Sequence, residues 1–165
     1  MTQFTKTIAS PVGALTLIAT DAGLSALLWP NDDAKRVRVG GLVVAPEHPI
    51  MVRAEGELRA YFAGERTSFT VPLAAAGTEF QKKAWAALLT IPYGETRSYG
   101  ELARQIGNAK ASRAVGAANG RNPISIIVPC HRAVASDGAL TGFAGGLEAK
   151  RYLLSLEAGV RRAAA

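Results

Sequence analysis

The chain has little sulfur or imidazole to work with: one cysteine, Cys130, and two histidines, His48 and His131, in 165 residues. A lone cysteine excludes an internal disulfide, and with so few histidines no cluster has zinc-ligand spacing, so no metal and no cofactor is expected. Aromatic residues are scarce at 7% and charged residues few at 19%. The 48% of apolar residues still describes a folded globular chain, long enough for one ample core or two small ones. No apolar run approaches membrane length, and Ser10-Pro11 and Gly13 interrupt the N-terminal segment before it resembles a secretory leader. These absences predict a cytoplasmic protein with no membrane partner, whose single thiol is free in a reducing compartment.

Charge is present in excess of one sign. The formal net charge is +6, which fits a polyanionic partner and equally a well-solvated basic surface. Its placement is more informative. Between Ser98 and Arg132 stand Arg104, Lys110, Arg113, Arg121 and Arg132 against Glu101 alone, so the excess surrounds the cysteine.

Residues 4–29 read as short β-type runs separated by Ser10-Pro11, Gly13 and Asp21-Ala22-Gly23, which predicts a small antiparallel sheet. Residues 31–49 are polar and proline-bearing. Ile50, Ala54, Leu58 and Tyr61/Phe62 then recur at helical spacing up to Gly64. Residues 74–78 form a linker between a domain at 1–73 and a second at 79–157, with 158–165 as a frayed tail. Thr78 and Gln81 make a capping box for a helix that turns Phe80, Ala84, Trp85, Leu88 and Leu89 inward. Ser98 and Glu101 make another, opening "YGELARQI"; Gly107-Asn108 stops it, and "KASRAVGAANG" resumes as helix. Two short helices across a glycine-containing turn have the helix-turn-helix pattern, which ordinary helical hairpins share. The second helix is poor in bulk around Arg113, as close approach to a narrow groove requires.

"ISIIVPCHRAVA" reads as a buried strand by its β-branched content, followed by a turn at Ser136-Asp137-Gly138, a glycine-rich loop and a closing helix. Pro129 fixes its own φ and keeps Val128 extended, so Cys130 is expected at a rigid strand end. Alternation along a strand would turn Cys130 and His131 to opposite faces, so they meet only if the strand ends there and turns or a water bridges them. A thiol after Ile-Ile-Val-Pro is also what an inert core cysteine looks like, and His131 alone reads equally as a structural histidine.

Taken together, "IPYGETRSYGELA", "ASRAVGAANGRNP", "IIVPCHR" and "TGFAGGLEAKRYLLSLE" resemble the O6-alkylguanine-DNA alkyltransferase family across residues 78–157, and "SPVGALTLIATDAGLSALLW" resembles its small N-terminal domain. The resemblance implies an α+β fold: a ribonuclease H-like α/β domain, then a helical winged helix-turn-helix domain carrying the active cysteine. It implies direct-reversal repair, in which O6-alkylguanine is flipped from duplex DNA in the minor groove and its alkyl group passes irreversibly to a protein cysteine, once per molecule. O4-alkylthymine is a second candidate substrate. No obligate protein partner is implied, and the protein is expected to be a monomer.

By the same resemblance Cys130 is the acceptor, His131 acts on its thiol through a water, Glu157 orients the imidazole, and Asn122 braces the helix-turn-helix against the cysteine segment. Arg113 fills the gap left by the flipped nucleotide and Tyr99 presses the neighbouring phosphate. Ser98, Ala114, Ala117, Lys110 and Arg121 line the DNA contact, and Tyr99, Val134, Phe143, Ala144, Gly145 and Lys150 the guanine pocket. Phe143 stands where some members have tyrosine, so a hydroxyl is missing from the pocket wall, and the cysteines of some members' N-terminal zinc site are absent. A binding-only lesion sensor and a helix-turn-helix regulator with a buried cysteine are the competing readings.

Overall fold

The computed structural model describes residues 2–33, 35–37 and 39–164. Strands β1 (Gln3–Ile8), β2 (Leu15–Thr20) and β3 (Gly23–Leu28) form the expected antiparallel meander. Its first turn is closed by Ser10, whose hydroxyl donates to the Gly13 carbonyl at 2.6 Å, and Gly13 supplies the positive φ that the turn needs. A fourth strand, β4 (Leu42–Val44), joins β1 in parallel, giving the order β3-β2-β1-β4. Nothing in the polar stretch before it marks a strand, because only three residues pair.

Helix α1 (Pro49–Phe62) packs across β1, β2 and β3. Pro49 occupies the first turn, where its missing N–H costs nothing, and His48 caps the helix: Nδ1 accepts from the Ile50 amide at 3.1 Å. Met51, Ala54, Leu58 and Tyr61 form its buried stripe.

Both capping boxes are present as expected. Thr78 and Gln81 open α2 (Glu79–Leu89), and Ser98 and Glu101 open α3 (Tyr99–Gln105). Leu89, expected inward, is exposed, and Ala87 takes the buried place. Helix α4 (Ser112–Gly120) follows the turn at Gly107 and packs against both α2 and α3. The Trp85 indole N–H donates to the Ala118 carbonyl at 2.8 Å, a second donor on an acceptor that the Arg121 amide also reaches at the end of α4.

Two expectations are corrected. Residues 124–132 are not a strand: Ile124 makes one isolated bridge to Leu27, Ile126 takes φ of 75°, and Cys130–Arg132 form a single 3-10 turn before β6 (Ala133–Val134), which pairs in parallel with β5 (Arg97–Ser98). The β-branched run is apolar because it fills the seam between the sheet and the helices, not because it belongs to a ladder. Residues 158–164 are not frayed. They continue α5 (Leu147–Ala164), and Val160 packs beside Gly64 at the end of α1. Ala165 lies outside the described residues.

The free edge of β3 holds the two halves together. Leu27 N–H donates across to Pro123 O at 2.8 Å, while Leu24 N–H donates to Pro72 O at 2.8 Å within the first half, and one buried cluster runs from Leu15, Leu17 and Leu27 to Ile124, Ile127 and Leu153. Among the described residues no helix is long and apolar enough to cross a membrane.

Candidate active site

Cys130 opens the 3-10 turn, with 2% of its surface exposed. The loop that delivers it is built by Asn122, whose Nδ2 donates to Val128 O at 2.9 Å while its Oδ1 accepts from Ile124 N at 3.1 Å. One buried amide thus replaces the ladder partners that this apolar segment lacks. Burial pushes the thiol up from its ordinary pKa; hydrogen bonds from Asn122 and Ser125 and the charges of Lys150 and Arg36 offset this only in part.

The 3-10 turn places His131 and Arg132 side by side on one carboxylate. His131 Nε2 lies 2.7 Å from Glu157 Oε2, and Arg132 reaches Glu157 through Nε at 2.8 Å and Nη2 at 3.0 Å. Arg132 also donates to the Ile91 carbonyl at 2.8 Å and lies over the Tyr93 ring. Burial raises the Glu157 carboxyl, but the donors on His131 and Arg132 outweigh it and hold the pKa at about 2. Burial lowers the pKa of His131, against the pull of Glu157, so the ring is neutral. Facing a carboxylate, Nε2 carries the proton and Nδ1 is an acceptor. That Nδ1 is buried and takes no hydrogen bond from a described protein group.

Lys150, from the first turns of α5, is fully buried, with Nζ donating to Ala133 O at 2.8 Å and lying 6.0 Å from the Phe143 ring centre. Phe143 packs edge-on to Trp29, and a Cβ at Gly145 would fall 2.6 Å from the same indole, so only glycine lets the loop seat there. Val134 is buried behind this wall. Ala144 and Phe143 line an open cavity of about 390 Å³ together with Asp32, Lys35, Arg36 and Arg121.

The remaining expected residues lie on the outer face. Arg113, Ala114 and Ala117 are exposed on α4, Lys110 precedes it, and Arg121 follows it, both exposed. Ser98 is spent as a helix cap. The Tyr99 hydroxyl pairs with Thr141 Oγ1 at 2.6 Å, linking the start of α3 to the glycine-rich loop. The structure therefore brings Cys130, His131, Glu157, Asn122, Val134 and Lys150 into one buried group and sets Arg113, Ala114, Ala117, Lys110 and Arg121 apart on the surface.

Four residues of the buried site carry no mark in the sequence. Trp29 Nε1 donates to Ser125 Oγ at 3.1 Å, and Ser125 Oγ lies 4.0 Å from the Cys130 sulfur. Arg36 donates to the carbonyls of Asn122 and Leu27 while paired with Asp32. The Tyr61 hydroxyl donates to Glu157 Oε2 at 2.6 Å. Trp29, Arg36 and Tyr61 reach across from the sheet half of the molecule, so no local spacing announces them.

Comparison with known proteins decides the kinship. The model of the DNA-binding domain of 6-O-methylguanine DNA methyltransferases matches residues 79–159, and that of their ribonuclease-like domain matches residues 4–75. The chain belongs to the 6-O-methylguanine DNA methyltransferase family. It is 53% identical over 148 residues to the methylated-DNA–protein-cysteine methyltransferase of Methanosarcina acetivorans, covering 90% of this chain and 94% of that one. The Mycobacterium tuberculosis protein of the same name is 51% identical over 152 residues, covering 92% and 90%. Among solved 6-O-methylguanine DNA methyltransferases, Mycobacterium tuberculosis OGT in complex with DNA superposes with a TM-score of 0.88 at 48% identity, over 95% of this chain and 94% of that one. The α+β, two-part architecture expected from the sequence is the family's fold.

Proposed function

We propose that the protein repairs DNA by direct reversal, taking the alkyl group of O6-alkylguanine onto Cys130 in a single turnover. Family membership carries the methyl transfer and the DNA partner. The observation that carries the acceptor is the buried group on the 3-10 turn: Cys130, the neutral His131 that follows it in the chain with an open Nδ1, and Glu157 holding both His131 and Arg132.

In this reading the duplex lies against α4, which enters the minor groove by its small, exposed Ala114 and Ala117. Arg113 occupies the stack in place of the everted nucleotide and offsets part of the few kcal/mol that eversion costs. Tyr99 and Ser98 meet the backbone at the start of α3. Lys110 and Arg121 bind phosphates without reading sequence. The base is held by the loop at Phe143, Ala144 and Gly145, with Val134 and Lys150 behind it. The division into domains at 1–73 and 79–157, joined by 74–78, belongs to the same reading, as does a monomeric chain.

The step is a displacement at the alkyl carbon. Sulfur forms its bond to carbon as the carbon–O6 bond breaks, and the bonding pair stays on guanine. The thiol proton passes through water to His131 Nδ1, and guanine takes up a proton in its place. Because burial raises the thiol pKa, thiolate abundance contributes little to the rate in the resting protein. Alignment of sulfur with carbon, and donors near the leaving base, have to supply most of the barrier reduction. Phe143 brings no hydroxyl to that wall, while the buried Lys150 ammonium lies near its ring as a charged donor. The product is a thioether that no group in the site cleaves.

Intact-mass and peptide analysis after incubation with a duplex carrying O6-methylguanine tests this. One methyl adduct per chain on the peptide holding Cys130, with a second equivalent of duplex left unrepaired, is the expected result. An unmodified thiol alongside repaired DNA, or turnover beyond one equivalent, overturns it.

A further inference from the structure

Glu157 accepts from five donors. Arg132 Nε and the Gly94 amide meet Oε1 at 2.8 and 3.3 Å; His131 Nε2, Arg132 Nη2 and the Tyr61 hydroxyl meet Oε2 at 2.7, 3.0 and 2.6 Å. Four of these come from the half of the chain that contains Cys130. Tyr61 alone comes from α1, on the other side of the seam, and it is fully buried at the contact. Its ring is held in place by Phe62 and Phe69 at 5.4 Å and by Tyr93 at 6.2 Å, so the hydroxyl has one direction available.

We propose that Tyr61 is a positioning residue for alkyl transfer: by sharing Oε2 with His131, its hydroxyl fixes the carboxylate that orients the imidazole and so lets the N-terminal half of the chain set the reactivity of Cys130. The inference rests on the role of His131 as proton acceptor proposed above. A carboxylate oxygen that already accepts from a phenol holds an imidazolium less strongly than one that does not. Tyr61 therefore does two things to His131: it restricts where the ring points, and it keeps the ring's proton affinity low. The other charged and titratable groups packed on this cluster are Tyr93 in the turn after α2, Cys130 and Arg132 on the 3-10 turn, and Lys150 on α5. Only Tyr61 is contributed by α1.

Tyr61→Phe removes the hydroxyl and keeps the ring. Single-turnover transfer from an O6-methylguanine duplex should slow roughly tenfold, the size expected for one lost hydrogen bond to a charged group. The acid limb of the pH–rate profile should move to higher pH, because His131 then holds a proton more tightly. The loss should be equal with free O6-benzylguanine, since Tyr61 touches no DNA, and duplex affinity should be unchanged. Phe69→Leu is the control: it loosens the packing of the Tyr61 ring but leaves the hydroxyl, so it should lower the melting temperature without moving the profile. A wild-type rate and profile in Tyr61→Phe, or an equal displacement in Phe69→Leu, overturns the proposal. His131→Gln separates the two layers: if it leaves rate and profile intact, the proton-acceptor role fails; if it slows transfer while Tyr61→Phe does not, only the role of Tyr61 fails.

Discussion

At the scale of single residues the site is governed by one buried carboxylate and its donors. The folded pKa of Glu157, about 2, lies below its ordinary 4.5. A depressed carboxyl stabilises the fold fully above its unfolded pKa, and that contribution disappears as pH falls from about 4.5 toward 2. Glu157→Gln should remove this acid-dependent component from denaturation curves recorded across that range. At neutral pH it should destabilise the protein by about 3–5 kcal/mol, because Arg132 is left buried without its counter-charge. A variant as stable as the parent would show that Arg132 finds another partner.

Elements explain what could be read in advance. The capping boxes at Thr78/Gln81 and Ser98/Glu101 were legible because a cap is local: the hydroxyl and the amide it serves are three positions apart. The segment 124–132 reads as a strand in the sequence because β-branched content reports burial as readily as pairing. Only the three-dimensional position of Asn122, bonded to Val128 and Ile124, reveals that the segment is a braced turn. Cys130, His131, Glu157 and Asn122 stand in the ordered motifs that carry the family resemblance, which is what singles them out in the sequence. Tyr61 lies 96 positions from Glu157, and Trp29 the same distance from Ser125, and nothing in a linear pattern couples residues so far apart. Helix α4 leads to a prediction at this scale. Arg113 is exposed on a helix whose other outward residues are small. Arg113→Ala should impair repair of duplex substrate while sparing reaction with the free alkylated base, measured by single-turnover kinetics on each. Equal losses on both would remove the residue from the stack.

Across the whole molecule, charge and the seam are the controlling features. The net charge of +6 includes Lys110 and Arg121 on the face that holds α4. Each phosphate neutralised should add about 0.9 to the downward slope of log affinity against log salt. Arg121→Ala should flatten that slope by about one contact and weaken undamaged and damaged duplexes alike; a loss confined to damaged duplex would place Arg121 in lesion recognition instead.

The order of the chain gives the carboxylate of α5 a consequence for synthesis. Cys130, His131 and Arg132 leave the ribosome before Glu157 does, and until it arrives the guanidinium has no anion to enter the interior with. The nascent thiol therefore waits in an open loop, and a chain interrupted before that helix lacks the carboxylate that holds His131 and Arg132 together behind it.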